Sequence, residues 1–360
     1  METSNKAAAQ PPKYAEIAAA IKAEILTGRL GENERLASFS ELKTRYGATP
    51  TTANRVYGLL EQEGLISRER GRGIFVRRIR REGTGIIALP GNAFETCRRL
   101  PYWDDLFRGA ESAAAEAGFE ILIVKPGSGS IHPDKVDGIL LAGHAEGSMP
   151  MPPPDLPCVS LLVRWKGLSS VAVDDYLAMR SVVDYLIELG HRKIAFLYEG
   201  VIGPLTRPRH HAVNDSLAEA GIVMDPRWAR SIPMPLPFPS DFRAGGRQTM
   251  DAWLREDWRE LGCTALVAIN DETAFGALEA LIEAKVRVPE EVSVAGFDGI
   301  ETRDHTLPLL TTAQIPLRKI GAVGMEILLR QVRSESGPPT PACVLLPTQL
   351  RIGETTAPPR

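Results

Sequence analysis

From residue 85 onward, short apolar runs alternate with amphipathic stretches, and this alternation restricts the fold more than any other feature of the chain. The runs at 85–89, 119–124, 138–142, 158–163, 193–198, 264–269 and 292–297 are apolar almost throughout, the pattern of strands buried on both faces. Segments 104–117, 176–189, 209–220, 247–260 and 272–284 place apolar residues at helical spacing, and Gly118, Gly190 and Gly221 follow three of them as stops. Such alternation implies parallel sheets covered on both faces by helices. At roughly 270 residues, this part of the chain is long enough for two lobes rather than one.

The first 83 residues read differently. They hold 15 Lys and Arg against 10 Glu and no Asp, whereas the remainder holds 27 against 35, so basic charge is gathered at one end of a chain with net charge -3. Tyr14, Ile17, Ala18, Ile21, Ile25 and Leu26 recur at helical spacing up to Gly28. Ser38-Phe39-Ser40-Glu41 has capping-box spacing, which predicts a second, short helix to about Tyr46. After Gly47, Thr49 can cap and Pro50 can open a third helix over about 50–63, ended by Gly64. Residues 65–76 follow as two β-prone arms around Gly71-Arg72-Gly73. Three helices and a basic hairpin describe a winged helix-turn-helix, whose third helix enters the DNA major groove while the wing lies along the backbone or minor groove. Seven arginines lie between Arg68 and Arg81. An isolated run of this kind is usually a solvated face, but on a glycine-tipped hairpin behind a helix pair it suits displacement of counterions from phosphates.

These residues resemble the DNA-binding domain of the GntR family. The likeness rests on Ile25-Leu26-Thr27-Gly28-Arg29-Leu30, Arg35-Leu36-Ala37-Ser38, Thr49-Pro50-Thr51-Thr52, Leu59-Leu60-Glu61-Gln62-Glu63-Gly64-Leu65-Ile66 and Gly71-Arg72-Gly73-Ile74-Phe75-Val76. It implies Thr51, Thr52, Asn54 and Arg55 nearest base edges or phosphates, Asn54 being able to pair adenine. Arg35, Ser38 and Arg72 are expected at phosphate or wing contacts, and Thr49 and Arg70 complete the expected DNA-binding set. Ala37 replaces the usual proline, Ser40 a usual arginine, and Pro50 and Asn54 stand where recognition-helix arginines are common. Fewer Arg-to-guanine contacts are available, so the operator is expected to differ from the common one or to be read more weakly.

Ligands of open α/β sheets lie outside the carboxyl ends of the strands. Here the apolar runs end in Asn270-Asp271, in Asp298 and in Asp174-Asp175. Singly these are good turn and cap residues; their recurrence favours a shared cleft. Val292-Ser293-Val294-Ala295-Gly296-Phe297-Asp298, with Val288-Pro289-Glu290-Glu291 before and Pro308-Leu309-Leu310-Thr311-Thr312 after, resembles the LacI-type effector-binding domain. So do Val136-Asp137-Gly138-Ile139, Leu189-Gly190-His191-Arg192-Lys193-Ile194-Ala195, and Asn270-Asp271 followed by Gly276. This resemblance implies two α/β lobes related to periplasmic sugar-binding proteins, crossed three times by the chain, with a small molecule between them. It carries hydroxyl-holding roles onto Arg209, Asn270 and Asp298, and Asp174 joins the expected effector set. Phe242, or else Phe238, is a candidate stacking face, and Phe94, Tyr102 and Trp103 are further candidates from the first strand's loop. Two departures affect the first lobe and the chain end: only a short link joins Val124 to Val136, where a helix is usual, and Gly353 stands where an arginine is usual.

The expected organisation is a disordered tail (1–12), a winged helix-turn-helix domain (13–77), a linker (78–84) and a two-lobed α/β domain (85–356). Lobe 1 is expected to take 85–173 and 311–340, and lobe 2 to take 174–310 and 341–356. Cys97, Cys158, Cys263 and Cys343 show no CxxC or zinc spacing. The first dozen residues lack the apolar centre of a secretory signal, and no run approaches a membrane span. No phosphate loop, nucleophile elbow or HExxH element appears. The expectation is therefore a cytoplasmic regulator, not an enzyme, that needs no cofactor or metal. It is expected to act as a repressor and homodimer, binding a double-stranded, pseudo-palindromic operator under control of a sugar-like effector. The rivals are an α/β enzyme carrying a basic interaction module and a secreted binding protein.

Overall fold

The computed structural model describes residues 12–26, 29–31, 34–69, 71–76, 83–90, 101–124, 131–132, 134–143, 152–153, 156–200, 203, 206–233, 242–302, 305–334 and 340–360. The chain divides into two compact units, Met1–Glu82 and Gly83–Arg360. In the first, helices α1 (Lys13–Leu26), α2 (Phe39–Tyr46) and α3 (Pro50–Gln62) precede an antiparallel hairpin of β1 (Ile66–Glu69) and β2 (Gly73–Val76). The Ser38 side chain accepts from the Glu41 N–H while Glu41 accepts from the Ser38 N–H at 2.6 Å, so the two N-terminal donors of α2 are satisfied reciprocally. Gly47 closes α2 at φ 59, a left-handed position that favours glycine. Thr49 then accepts from the Thr52 N–H at 3.2 Å, with Pro50 opening α3. Ile17, Ile21 and Ile25 of α1 meet Leu42, Val56, Tyr57, Leu60, Ile66 and Val76 in one buried cluster. A bridge from Arg35 to Phe75 ties the segment before α2 to the hairpin. Gly28, Arg70, the tail before Pro12 and the linker arginines Arg77, Arg78, Arg80 and Arg81 lie outside the described residues.

The second unit runs β3 (Ile86–Pro90), α4 (Pro101–Glu116), β4 (Glu120–Val124), β5 (Gly138–Ala142), β6 (Cys158–Leu161), β7 (Ser169–Ala172), α5 (Asp175–Glu188), β8 (Ile194–Glu199), α6 (Arg207–Glu219), β9 (Ala229–Ile232), α7 (Phe242–Glu256), α8 (Trp258–Leu261), β10 (Ala265–Ala268), α9 (Asp271–Glu283), β11 (Ser293–Asp298), β12 (Thr311–Gln314), α10 (Leu317–Arg333), β13 (Cys343–Leu345) and β14 (Gln349–Arg351). It contains two six-stranded sheets. The first has the order β13-β7-β6-β5-β3-β4 and is parallel throughout; the second has the order β14-β12-β11-β10-β8-β9 and is parallel except for β14. Fully buried strands such as β5, β6, β10 and β11 account for the unbroken apolar runs in the sequence.

Each lobe is closed by one tight helix crossing. In lobe 1, α4 and α10 approach so closely that a Cβ on Gly109 would lie 1.9 Å from the Arg318 carbonyl oxygen, and one on Gly321 2.0 Å from that of Leu106. In lobe 2, Gly276 of α9 would meet the Arg243 carbonyl of α7 at 1.9 Å, and Gly246 that of Thr273 at 2.4 Å. Backbone-to-backbone contact of this kind admits no side chain.

The chain passes between lobes after β7, between β12 and α10, and between β13 and β14. The second and third passages lie later than the sequence reading placed them. Residues 311–314 belong to lobe 2, because β12 pairs in parallel with β11 and Thr311 and Thr312 are held inside that lobe by Thr355 and Asp271. Residues 343–345 belong to lobe 1, because β13 completes its sheet beside β7. The short strands β9, β12, β13 and β14 were not read from the sequence, and the 247–260 helix begins earlier, at Phe242, and breaks before α8. The short link after Val124 falls largely outside the described residues. Gly353 is explained by packing, since a Cβ there would lie 2.1 Å from the Leu309 carbonyl.

Gly276→Ala should lower stability by at least about 2 kcal/mol through overpacking. Gly221→Ala, where nothing lies within 4 Å but φ is +70, should cost only about 1 kcal/mol. Urea denaturation of the full chain measures both, and equal small losses would contradict the crossing.

Candidate functional site

Two surfaces carry the sequence-predicted residues. On α3, Ala53, Val56, Tyr57 and Leu60 are buried, so Thr51, Asn54 and Arg55 are left exposed on the opposite face and Thr52 partly so. The α3 register follows from the apolar positions, and it leaves the Asn54 side chain on the exposed face. Thr49, Thr52 and Ser38 have local duties: Thr49 and Ser38 are N-caps, and the Thr49 and Thr52 hydroxyls lie 2.8 Å apart. Arg55 lies 5.6 Å from the Tyr14 ring. Arg35 is exposed beside Gly73, its Nε 3.1 Å from where a Cβ would be. Arg72, at the hairpin tip, pairs with Glu69 at 2.5 Å and lies 5.7 Å from the Phe75 ring. Several other cations of this unit are paired with glutamates: Lys22 with Glu63, Arg45 with Glu24 and Arg68 with Glu61. Lys43, on α2, was not singled out in the sequence; it is exposed and has no ion pair among the described residues.

The second surface lies at the carboxyl ends of the lobe 2 strands, around Arg209 in the first turn of α6. Arg209 is buried. Its Nε and Nη2 each reach Asp175 Oδ1 at 2.9 Å, its Nη1 donates to the Ile269 carbonyl at 3.0 Å, and Asp298 stands 3.7 Å away. The guanidinium lies 3.7 Å from the Phe297 ring centroid. Burial opposes charge on Arg209, but Asp175, Asp298 and Tyr102 outweigh it and hold the guanidinium above its ordinary value. Asp298 adopts φ 132, which L side chains rarely take. Burial pushes its carboxyl well up; Arg209 opposes this, while Asp271, Asp175 and Glu272 add to it. Asp271 is likewise raised by burial, to about 7, against donors from the Thr312 hydroxyl at 2.6 Å and the Ile300 N–H at 2.9 Å. Arg351 donates to the Gly299 and Ile300 carbonyls and so braces the loop after Asp298.

In lobe 1, Tyr102 lies in the first turn of α4, and its phenol is raised by burial and by Asp298, with Arg209 opposing and Asp175 adding to the rise. Arg209 and Asp298 thus come together as expected. Asn270 does not join them through an observed bond: its side chain accepts from the Thr273 N–H at 2.8 Å and caps α9. Asp174 also proves to be a cap, accepting from the Leu177 N–H at 3.0 Å, and its neighbour Asp175 is the carboxylate on Arg209. A cap must sit outside the first turn, which turns the following residue inward. Phe242 is half buried at the start of α7, with no ring contact or ion pair to the cluster among the described residues. Trp103 is buried inside lobe 1 against Gly143. Phe94 and Phe238 lie outside the described residues. Asp175 and Asp271 were missed because each adjoins a residue with the stronger cap signal.

The geometry has a pH signature. With its carboxyl raised above 3.8 in the fold, Asp298 is harder to ionise folded than unfolded, so its contribution to stability is lost as pH rises from 3.8 toward the folded value. Asp298→Asn removes that loss. The stability difference, variant minus parent, should rise as pH increases above about 4. Urea midpoints at stepped pH measure it, and a flat difference would contradict a buried ionisable Asp298.

Sequence comparison finds matches in both units. The model of bacterial regulatory proteins of the gntR family matches residues 13–76, and that of the periplasmic binding protein-like domain matches residues 183–356. The HTH-type transcriptional repressor CytR of Escherichia coli (strain K12) is 26% identical over 304 residues, 79% of this chain and 82% of that protein. The arabinose metabolism transcriptional repressor of Geobacillus stearothermophilus is 22% identical over 355 residues, 90% of this chain and 92% of that protein. A LacI family transcriptional regulator from Enterococcus faecium, solved with bound ribose, shares the fold at a TM-score of 0.63 and 23% identity, covering 76% of this chain and 100% of that one. Among the described residues no helix is long and apolar enough to cross a membrane. The chain therefore joins a GntR-type helix-turn-helix DNA-binding domain to a two-lobed periplasmic-binding-protein-like domain.

Proposed function

We propose that the protein is a transcriptional repressor whose affinity for a double-stranded operator is set by a sugar-like molecule held between the lobes of its second unit. One observation carries the reading: a buried Arg209–Asp175–Asp298 cluster lies at the carboxyl ends of the lobe 2 strands, in the same chain as a helix that exposes Thr51, Asn54 and Arg55. Carboxylates, a guanidinium and amides at strand ends are the groups that hold adjacent hydroxyls. The relatives named as repressors, and the ribose held by a protein of the same fold, support the reading. The chain acts in the cytoplasm as a homodimer, two recognition helices meeting the half-sites of a pseudo-palindrome. It performs no chemistry on its effector; binding shifts lobe closure, and a coupling of about 1–3 kcal/mol changes operator affinity roughly 5–150-fold.

Fluorescence anisotropy with operator DNA selected from random duplexes tests the DNA half. Arg35→Ala should weaken binding to all sequences alike, whereas Asn54→Ala should cost about 1–3 kcal/mol at one operator position and relax its base preference. Identical losses on selected and random DNA would defeat the Asn54 assignment. For the effector half, Arg209→Ala should abolish the ligand's effect on anisotropy while operator affinity without ligand stays intact. Retention of calorimetric ligand binding by that variant would place the site elsewhere.

A further inference from the structure

The corner that carries Asp298 is held by its neighbours rather than by its own conformational preference. Asp298 at φ 132 is followed by Gly299 at φ 77, and a non-glycine residue keeps such a backbone only where its surroundings over-determine it. The Asp298 carbonyl accepts from the Ile315 N–H at 3.0 Å, and the Gly299 N–H donates to the Thr312 hydroxyl at 3.3 Å. Asp271 accepts from the Ile300 N–H at 2.9 Å and from the Thr312 hydroxyl at 2.6 Å. A Cβ on Gly299 would lie 2.6 Å from Gln314 Cα. There remain the Gly299 and Ile300 carbonyls, and Arg351 spans both, with Nη1 on the first at 3.2 Å and Nη2 on the second at 3.1 Å. Arg351 stands opposite Thr312 in the β12–β14 pair. It has no ion pair among the described residues, and its Nε is buried without a hydrogen-bond partner. A partly buried guanidinium bonded only to two neutral carbonyls is costly, which marks the fork as serving the loop it holds.

Resting on the reading of this cluster as an effector site, we infer that Arg351 is a positioning residue for Asp298. Its planar fork fixes the Gly299–Ile300 backbone, and that backbone keeps the Asp298 carboxylate buried and 3.7 Å from Arg209. The effector meets Asp298, not Arg351. The groups that act on the Asp298 charge are Arg209 from α6, Asp271 and Glu272 from α9 and Asp175 from α5, and Asp298 acts in turn on Tyr102 of α4. The Arg351 charge reaches Asp271, so the fork has to be separated from the charge.

Lysine separates them, because it keeps the charge and loses the fork. Asp298→Asn is made in the full chain with Arg351 intact, with Arg351→Lys and with Arg351→Met, and urea midpoints are taken at stepped pH. With Arg351 intact, the stability difference produced by Asp298→Asn rises above about pH 4. In both Arg351 variants the released carboxylate turns to water, and the rise should fall by at least about half. A rise retained with Arg351→Lys but lost with Arg351→Met assigns the effect to charge and overturns the positioning role. A rise retained in both leaves Arg351 a merely structural part and overturns it equally. Should Arg351→Met not fold, Arg351→Lys alone decides, and a retained rise again counts against the role. Calorimetry with ribose, arabinose, glucose and galactose then reads the site itself. Arg351→Lys should weaken whichever of these sugars the parent binds by roughly 3–30-fold. Unchanged sugar affinity beside a lost pH rise overturns the role in effector binding. If the parent binds none of the four, the sugar reading falls, and the positioning of Asp298 is still decided by the pH profiles.

Discussion

The second unit is organised around one desolvated cation. Moving a guanidinium out of water costs several kcal/mol unless its charge is matched and its donors are taken up. Arg209 meets that requirement with the Asp175 carboxylate, the Ile269 carbonyl and the face of Phe297. These partners come from three separate places: the first turn of α5, the end of β10 and the end of β11. The arginine can therefore be buried only when the lobe 2 sheet is assembled in its observed order. The same assembly leaves Asp298 buried, in a backbone conformation that L side chains rarely adopt, 3.7 Å from Arg209.

Precision at that point depends on the frame. In each lobe a pair of helices crosses at glycines with no room for a Cβ, which fixes the helices against their sheets more tightly than side-chain packing alone would. The three passages between lobes leave each lobe a complete sheet built from distant parts of the chain, and β12 and β14 lie side by side at one edge of lobe 2. Arg351 on β14 reaches the loop that follows Asp298. In the first unit the exposed side chains of α3 rest on a much smaller core, and capping hydroxyls at Ser38 and Thr49 set the start of the two central helices.

Much of this was legible in the residues. The capping box, Thr49-Pro50 and the Gly71-Arg72-Gly73 turn are local signals, and they located α2, α3 and the hairpin because capping and turn chemistry acts over a few residues. The long apolar runs marked the central strands for the same reason. The edge strands β9, β13 and β14 were not legible: three or four residues with mixed burial carry no periodicity of their own. Arg209 and Asp298, both singled out in the sequence, come together in lobe 2. Asp174 was preferred over Asp175, since nothing within that dipeptide says which carboxylate caps and which turns inward.

What the sequence determined by itself is therefore the inventory: a basic winged helix-turn-helix, a two-lobed α/β domain, and the polar residues that end its strands. Only the tertiary structure decided which lobe keeps β12 and β13 and which of two adjacent aspartates holds Arg209. The physical reason is range. Caps, turns and periodic burial are settled among near neighbours, whereas a buried charge is matched by groups far apart in the chain, and its neutralisation is known only once the sheets have brought them together.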